Sequence, residues 1–188
     1  MSTWIQTSTG KAFDPFAPDP AAICIEDIAH ALSNVCRFTG HCRSFYSVAQ
    51  HSVEVATRLP PELQAHALLH DASEAYLLDL PSPLKQRPEF AAYRWAEKQL
   101  QAAIYARFGL DPTTPALVKE MDSRMLLFEK ARLLGKCEKP WPTSAALSRL
   151  APAPQYPGWR PLPPADAKRE FLNVFYLTFH AFAQENNR

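Results

Sequence analysis

Glycine is scarce in this chain, at 5 of 188 residues, while proline reaches 18. Turns are therefore built with a residue that fixes φ rather than one that frees it. Charge of either sign is also missing in excess: 20 Lys and Arg against 19 Asp and Glu leave a formal net charge of +1. A protein that grips polymeric nucleic acid needs a basic stripe to neutralise phosphates. That partner is excluded, although a local basic pocket is not. Cysteine occurs at 24, 36, 42 and 137 with no CxxC pair, and Cys36 and Cys42 are separated by five residues. This is the spacing of neither a zinc ribbon nor a small disulfide scaffold, and it reads as reduced thiols in a cytosolic protein. Long apolar runs are lacking. The most apolar late stretch, 171–183, is interrupted by Asn173, Thr178 and His180, which leaves it too short and mixed to cross a bilayer. The first ten residues show no basic-then-apolar leader pattern. The expectation is a soluble cytoplasmic protein with no membrane partner.

What is present suits one packed domain: 47% hydrophobic, 11% aromatic and 21% charged residues, in a chain long enough to bury about 70% of its unfolded surface. Residues 4–13 alternate loosely around a Ser-Thr-Gly turn and predict a short β-hairpin. Apolar spacing predicts helices over 26–35, 45–59, 62–78, 90–108, 116–134 and 166–184. Pro60-Pro61, Pro81, Pro83, Gly109 and Gly135 punctuate them, as helix starts and stops require. The predicted class is all-α, about six helices, without the strand–helix alternation of a parallel sheet. Residues 1–138 would form the core and 139–165 a proline-rich arm, with eight prolines in 139–164, lying over the body or forming a long loop. Residues 166–188 would form a last helix packed on the core. Its aromatic residues Phe171, Phe175, Phe179 and Phe182 read as core or as a contact between copies of the chain.

The segment 62–78 is the most informative. Leu68, Leu69, Ala72, Ala75 and Tyr76 make one apolar face, while His66, His70, Asp71 and Glu74 lie on the other, between Leu63, Ala67 and Leu77. Four ionisable groups in a helix apolar nearly all round are expensive unless something compensates them. Adjacent helix positions diverge by about 100°, so His70 and Asp71 do not share a face, whereas His70 and Glu74 do. The longer reach of an imidazole still lets His70 and Asp71 meet one cation. His51, beside Val48 and Val55, and Asp122, beside Val118, Met125 and Leu126, sit at the edges of apolar stripes, where a polar group can look into a cleft. Two imidazoles and two carboxylates suit one Mn²⁺, Co²⁺, Fe²⁺, Ni²⁺ or Zn²⁺ better than Mg²⁺, which favours oxygen alone. Such a cation keeps open positions for water and a phosphate oxygen, and lowers the pKa of the water.

The order His51…His70-Asp71…Asp122 resembles the H…HD…D signature of the HD-domain phosphohydrolase superfamily. The likeness runs from about residue 3 to 130. It includes IEDIAHAL at 25–32, RFTGH at 37–41, FYSVAQHS at 45–52 and HDASEAYLLDLP at 70–81. These runs are similar to a small bacterial and phage branch that holds 5′-deoxynucleotidases and deoxynucleoside triphosphohydrolases. The resemblance implies one divalent metal ion held by His51, His70, Asp71 and Asp122. It implies that Glu74 orients the attacking water or shuttles its proton, that Arg37 neutralises phosphate, and that Lys85 is a second phosphate contact. Asp79 would meet the sugar and disfavour a 2′-hydroxyl. His41 and Arg43 are further candidates for the phosphate end. The substrate would be a small nucleotide, in the first instance a deoxynucleoside 5′-monophosphate losing its phosphate. A triphosphate releasing tripolyphosphate is the alternative within this chemistry, and a non-catalytic nucleotide sensor the alternative outside it. A homo-oligomer is also implied.

The six histidines are 30, 41, 51, 66, 70 and 180, with none between 71 and 179 to serve a second metal, so cyclic-dinucleotide cleavage is not expected. Rival readings stay open. Asp111 also follows Asp71, but it precedes a proline and reads as a turn or cap. His66, four before His70, offers a rival zinc pair. Glu97 lies within the apolar stripe of 90–108 and reads as half of an internal ion pair. Arg37 could instead brace a loop, and Glu74 could be a structural partner of His70.

Overall fold

The chain begins with a hairpin, β1 (Ile5–Gln6) and β2 (Ala12–Phe13), antiparallel with Ile5 opposite Phe13 and Gln6 opposite Ala12. Gly10, at φ +85°, supplies the left-handed residue of its turn, a conformation that a Cβ disfavours. The turn is tied to the first helix. Asp27 accepts from Ser8 Oγ (2.6 Å), Thr9 N (2.7 Å) and Thr9 Oγ1 (2.7 Å). This computed structural model describes residues 3–141, 147–154 and 157–185, with side chains as far as His180. The parts of the arm at 142–146 and 155–156, and the side chain of Phe182, lie outside the described residues.

After the hairpin the regular structure is helical: α1 (Ile25–Asn34), α2 (Val48–Ala56), α3 (Pro61–Leu68), α4 (Glu74–Leu77), α5 (Ser82–Lys85), α6 (Ala91–Arg107), α7 (Ala116–Leu133) and α8 (Pro164–Glu185). The protein is all-α with a short β-hairpin. The described residues hold eight α-helices where spacing predicts six, for two local reasons. Pro83 seeds the single turn α5. The predicted helix over 62–78 is broken at 69–73, although no Gly or Pro lies there. A side chain from α6 makes the break tolerable: Gln101 Nε2 donates to Leu69 O (2.7 Å), and Gln101 Oε1 accepts from Ser73 N (3.1 Å). Backbone groups released at a helix end need such partners when buried.

Helix α2 is the centre of the molecule. Ser47 caps it by accepting from Gln50 N (3.1 Å), worth about 1 kcal/mol. Every residue of α2 except Glu54 is buried, and α1, α3, α7 and α8 pack around it. Leu32, Val48, Leu68, Leu69, Leu100, Ile104, Met125 and Phe171 are fully enclosed, each contributing about 1.5–3 kcal/mol of burial. Phe175 stacks on Phe179, and Phe108 meets both rings.

The described part of the arm lies on the body. Ala153 N donates to Arg124 O (2.9 Å), and Trp159 sets its ring edge-on to Phe128 (5.0 Å). Cys24, Cys36, Cys42 and Cys137 form no disulfide. No described helix is long and apolar enough to cross a membrane.

Candidate metal centre

The break between α3 and α4 decides the geometry of the site. In a continuous helix His70 and Asp71 would diverge. In the turn at 69–73 they converge, with Asp71 Oδ2 3.2 Å from His70 Nε2. Helix α2 brings His51, with no exposed surface, so that its Nε2 stands 3.7 Å from the same Asp71 oxygen. Helix α7 adds Asp122, whose Oδ1 lies 3.1 Å from His51 Nε2 and 3.9 Å from His70 Nε2. His51, His70 and Asp71 each offer a ligand atom within 4.8 Å of the others, so they can hold a metal ion. Donors about 2.1 Å from one cation are separated by about 3–3.5 Å in tetrahedral or octahedral geometry, close to the spacings observed.

The donor set fits a cation on chemical grounds as well. His51 Nδ1 is engaged by Glu129 Oε1 at 2.6 Å, and His70 Nδ1 by the carbonyl of Ala67 at 2.6 Å. An acceptor on Nδ1 fixes the tautomer that leaves the Nε2 lone pair free. Both Nε2 atoms are buried and lack a hydrogen-bond partner, an expense a folded protein seldom bears without use.

The electrostatics ask for positive charge. Burial opposes ionisation of Asp71, but His70, His51 and Arg37 hold its carboxyl well below the usual range. Burial likewise works against Asp122, and His51 and His70 still hold it low. Burial and Arg37 disfavour a charged His51, yet Glu129 and Asp122 overcome them and push it up to about 10. For His70, burial is overcome by Asp71. Protons on the imidazoles and a divalent cation are two ways to supply the same charge.

Around this centre stand the other predicted residues. Arg37 is buried, with Nε donating to Glu129 Oε2 (3.1 Å) and Nη1 3.6 Å from Asp71 Oδ2. The chain turns sharply after it through Phe38, Thr39 and Gly40, all at positive φ. Glu74 is buried. One of its oxygens faces Lys85 Nζ at 3.4 Å, and the other has no partner. Burial, then repulsion from Asp71 and Asp79, raises its carboxyl well above the ordinary range. Asp79 is half-buried; burial pushes its carboxyl up against the pull of Arg37. Lys85, expected at phosphate, is paired with Glu74 and Glu97. Glu97 is therefore half of an internal ion pair, as its place in the stripe implies.

His41 and Arg43 are exposed. The rival zinc pair does not form: His66 Nε2 meets Asp111 O at 3.1 Å and its ring packs against Tyr105. Asp111 accepts from Thr113 N (2.7 Å) as a turn residue. One residue escapes the sequence reading altogether. Glu129 is fully enclosed and accepts from His51, Tyr46 and Arg37. Its spacing could have revealed it, since seven residues after Asp122 returns to the same helix face.

No protein-family model matches the chain. The uncharacterized protein YfdR of Escherichia coli (strain K12) is 38% identical to it over 173 residues, covering 92% of this chain and 94% of YfdR. An uncharacterized protein of Rhodobacter capsulatus is 38% identical over 125 residues, covering 62% of this chain and 63% of that protein. With identity of this order along nearly the whole of both partners, the chain belongs to the family of YfdR.

Proposed function

We propose that this protein is a divalent-metal-dependent phosphohydrolase of the HD-domain type, acting on small deoxynucleotides, with deoxynucleoside 5′-monophosphates as the favoured substrates. One observation carries the reading: the buried, unpartnered Nε2 atoms of His51 and His70 face the carboxylates of Asp71 and Asp122. When bound, Mn²⁺, Co²⁺, Fe²⁺, Ni²⁺ or Zn²⁺ would supply Lewis acidity and an activated water near neutral pH.

The chain's own groups do the rest. Glu74, with one buried oxygen free, orients the attacking water or shuttles its proton as the water oxygen bonds to phosphorus. The ester P–O bond breaks, and the proton given up by the water is passed on to the departing sugar oxygen, which leaves as a hydroxyl. Arg37 meets the charge gathering on the phosphate oxygens. Lys85 holds Glu74 in place. Asp79 faces the sugar, where it disfavours a 2′-hydroxyl. The free oxygen of Glu74 favours an enzyme over a sensor, because a pocket that only binds gains nothing from a buried carboxyl group with one oxygen left without a partner.

Product analysis on dAMP and dATP with Mn²⁺ or Co²⁺ tests the reading. Deoxyadenosine and inorganic phosphate from dAMP are the expected products. Tripolyphosphate from dATP would move the substrate to triphosphates. Nucleotide binding without either product would leave a sensor and overturn the hydrolase. Asp71→Ala, folded and metal-free, should be inactive, and retained turnover would refute the proposed site.

A further inference from the structure

Glu129 is fully enclosed at the centre, yet nothing in the hydrolytic step uses it. Its two oxygens serve different ends of the site. Oε1 accepts from His51 Nδ1 at 2.6 Å and from Tyr46 Oη at 2.9 Å. Oε2 accepts from Arg37 Nε at 3.1 Å. The far edge of that guanidinium, Nη1, lies 3.6 Å from Asp71 Oδ2, and His51 Nε2 lies 3.7 Å from the same oxygen. Glu129, His51, Asp71 and Arg37 therefore close a ring beside the cation position.

Stability gives a poor account of this carboxylate. A buried ion pair contributes little beyond what apolar side chains of the same volume would. Orientation gives a better one. An acceptor on Nδ1 of His51 leaves Nε2 free to ligate and raises its basicity. An acceptor on Nε of Arg37 fixes the plane of the guanidinium and keeps it from collapsing onto Asp71.

We propose that Glu129 is a positioning residue that sets the metal-ligating ring of His51 and the phosphate-facing guanidinium of Arg37 together, so that one carboxylate fixes both cation affinity and phosphate affinity. The inference rests on the metal-centre reading of His51, His70 and Asp71 and on the phosphate role proposed above for Arg37. Glutamine at 129 keeps the volume but not the charge. His51 becomes less basic, and Arg37, left with Asp71 as its nearest carboxylate, draws that ligand from the cation and itself from phosphate. The amide has one acceptor oxygen, so at most one of the two donors keeps its acceptor, and the lost negative charge weakens both.

The test is a titration of the full-length, metal-stripped protein with Co²⁺, followed by its visible absorption. A second titration adds inorganic phosphate at saturating Co²⁺. In Glu129→Gln both affinities should fall about 10-fold or more, and the Co²⁺ band should shift as the His51 ring reorients. Glu129→Asp is the second variant. It keeps the charge but withdraws the carboxylate by one methylene, and should weaken both affinities to a smaller extent. A merely structural role would lower the melting temperature and leave both constants alone. Wild-type protein that fails to take up Co²⁺ would overturn the metal-centre reading itself. If wild type binds Co²⁺ and the folded variants keep both affinities within about 3-fold, the role of Glu129 is wrong. Loss of only one affinity would overturn the joint role.

Discussion

Lys85 of α5 binds Glu74 of α4, Nζ to Oε1 3.4 Å, while also pairing with Glu97 of α6. A single ammonium thus compensates two carboxylates from two helices, a supporting role that stands beside the phosphate contact expected from the sequence. The physical reason is proximity: α5 packs on α6, which brings Glu97 to the amine.

Replacing Lys85 should separate these roles. Lys85→Met leaves Glu74 and Glu97 without their cation and should lower stability by about 1–2 kcal/mol, discounted for partial exposure. Turnover should fall about 10- to 100-fold through Glu74, with kcat affected more than KM. A rise in KM at constant kcat would restore Lys85 to the phosphate.

Asp27 predicts a pH dependence of stability. Burial alone would push its carboxyl up, but hydrogen bonds from Ser8, Cys24 and Thr9 hold it well below the usual carboxylate range. The folded state therefore takes up this proton less readily than the unfolded chain. The stabilisation is present above about pH 4 and is lost as pH falls through the lower folded value. Asp27→Asn should be destabilised by about 1–2 kcal/mol near neutrality. Urea unfolding should show the gap to wild type closing toward about pH 2. A gap independent of pH would contradict this account of the hairpin anchor.

Leu78 sits at φ +69°, ψ 158° with its side chain 67% exposed, and its carbonyl accepts from Tyr93 Oη at 2.6 Å. That region of backbone space is nearly exclusive to glycine. Leu78→Gly removes strain of about 1–3 kcal/mol against an entropy penalty of about 1 kcal/mol, a net gain of about 1 kcal/mol. Thermal unfolding should move up by a few degrees, whereas Leu78→Ala, which keeps a Cβ, should show no gain.

Gln50 clamps the arm. Its Nε2 donates to Arg160 O (2.9 Å) and its Oε1 accepts from Leu162 N (2.8 Å). Gln50→Leu leaves two backbone groups unpaired and should lower stability by about 2–3 kcal/mol. Amide exchange at Leu162 should rise at least 10-fold. Unchanged protection there would show that the Trp159 contacts alone hold the segment.

The sequence by itself determined the helical class, the N-terminal hairpin and the residues that gather at the centre. The first two are written in short-range terms, apolar periodicity and the Ser-Thr-Gly turn, whereas the gathering of His51, His70, Asp71 and Asp122 is expected from their resemblance to the H…HD…D signature. Helix ends were also legible to within a few residues, since proline and capping side chains act locally. Only the tertiary structure decided the break at 69–73, because Gln101, some thirty residues downstream, supplies the partners that a continuous helix would have made redundant. It alone paired Lys85 with Glu74 and Glu97, left His41 and Arg43 exposed, and made Glu129 the acceptor shared by an imidazole and a guanidinium. Periodicity reports which face a residue occupies; what waits opposite that face is settled by packing between segments far apart in the chain.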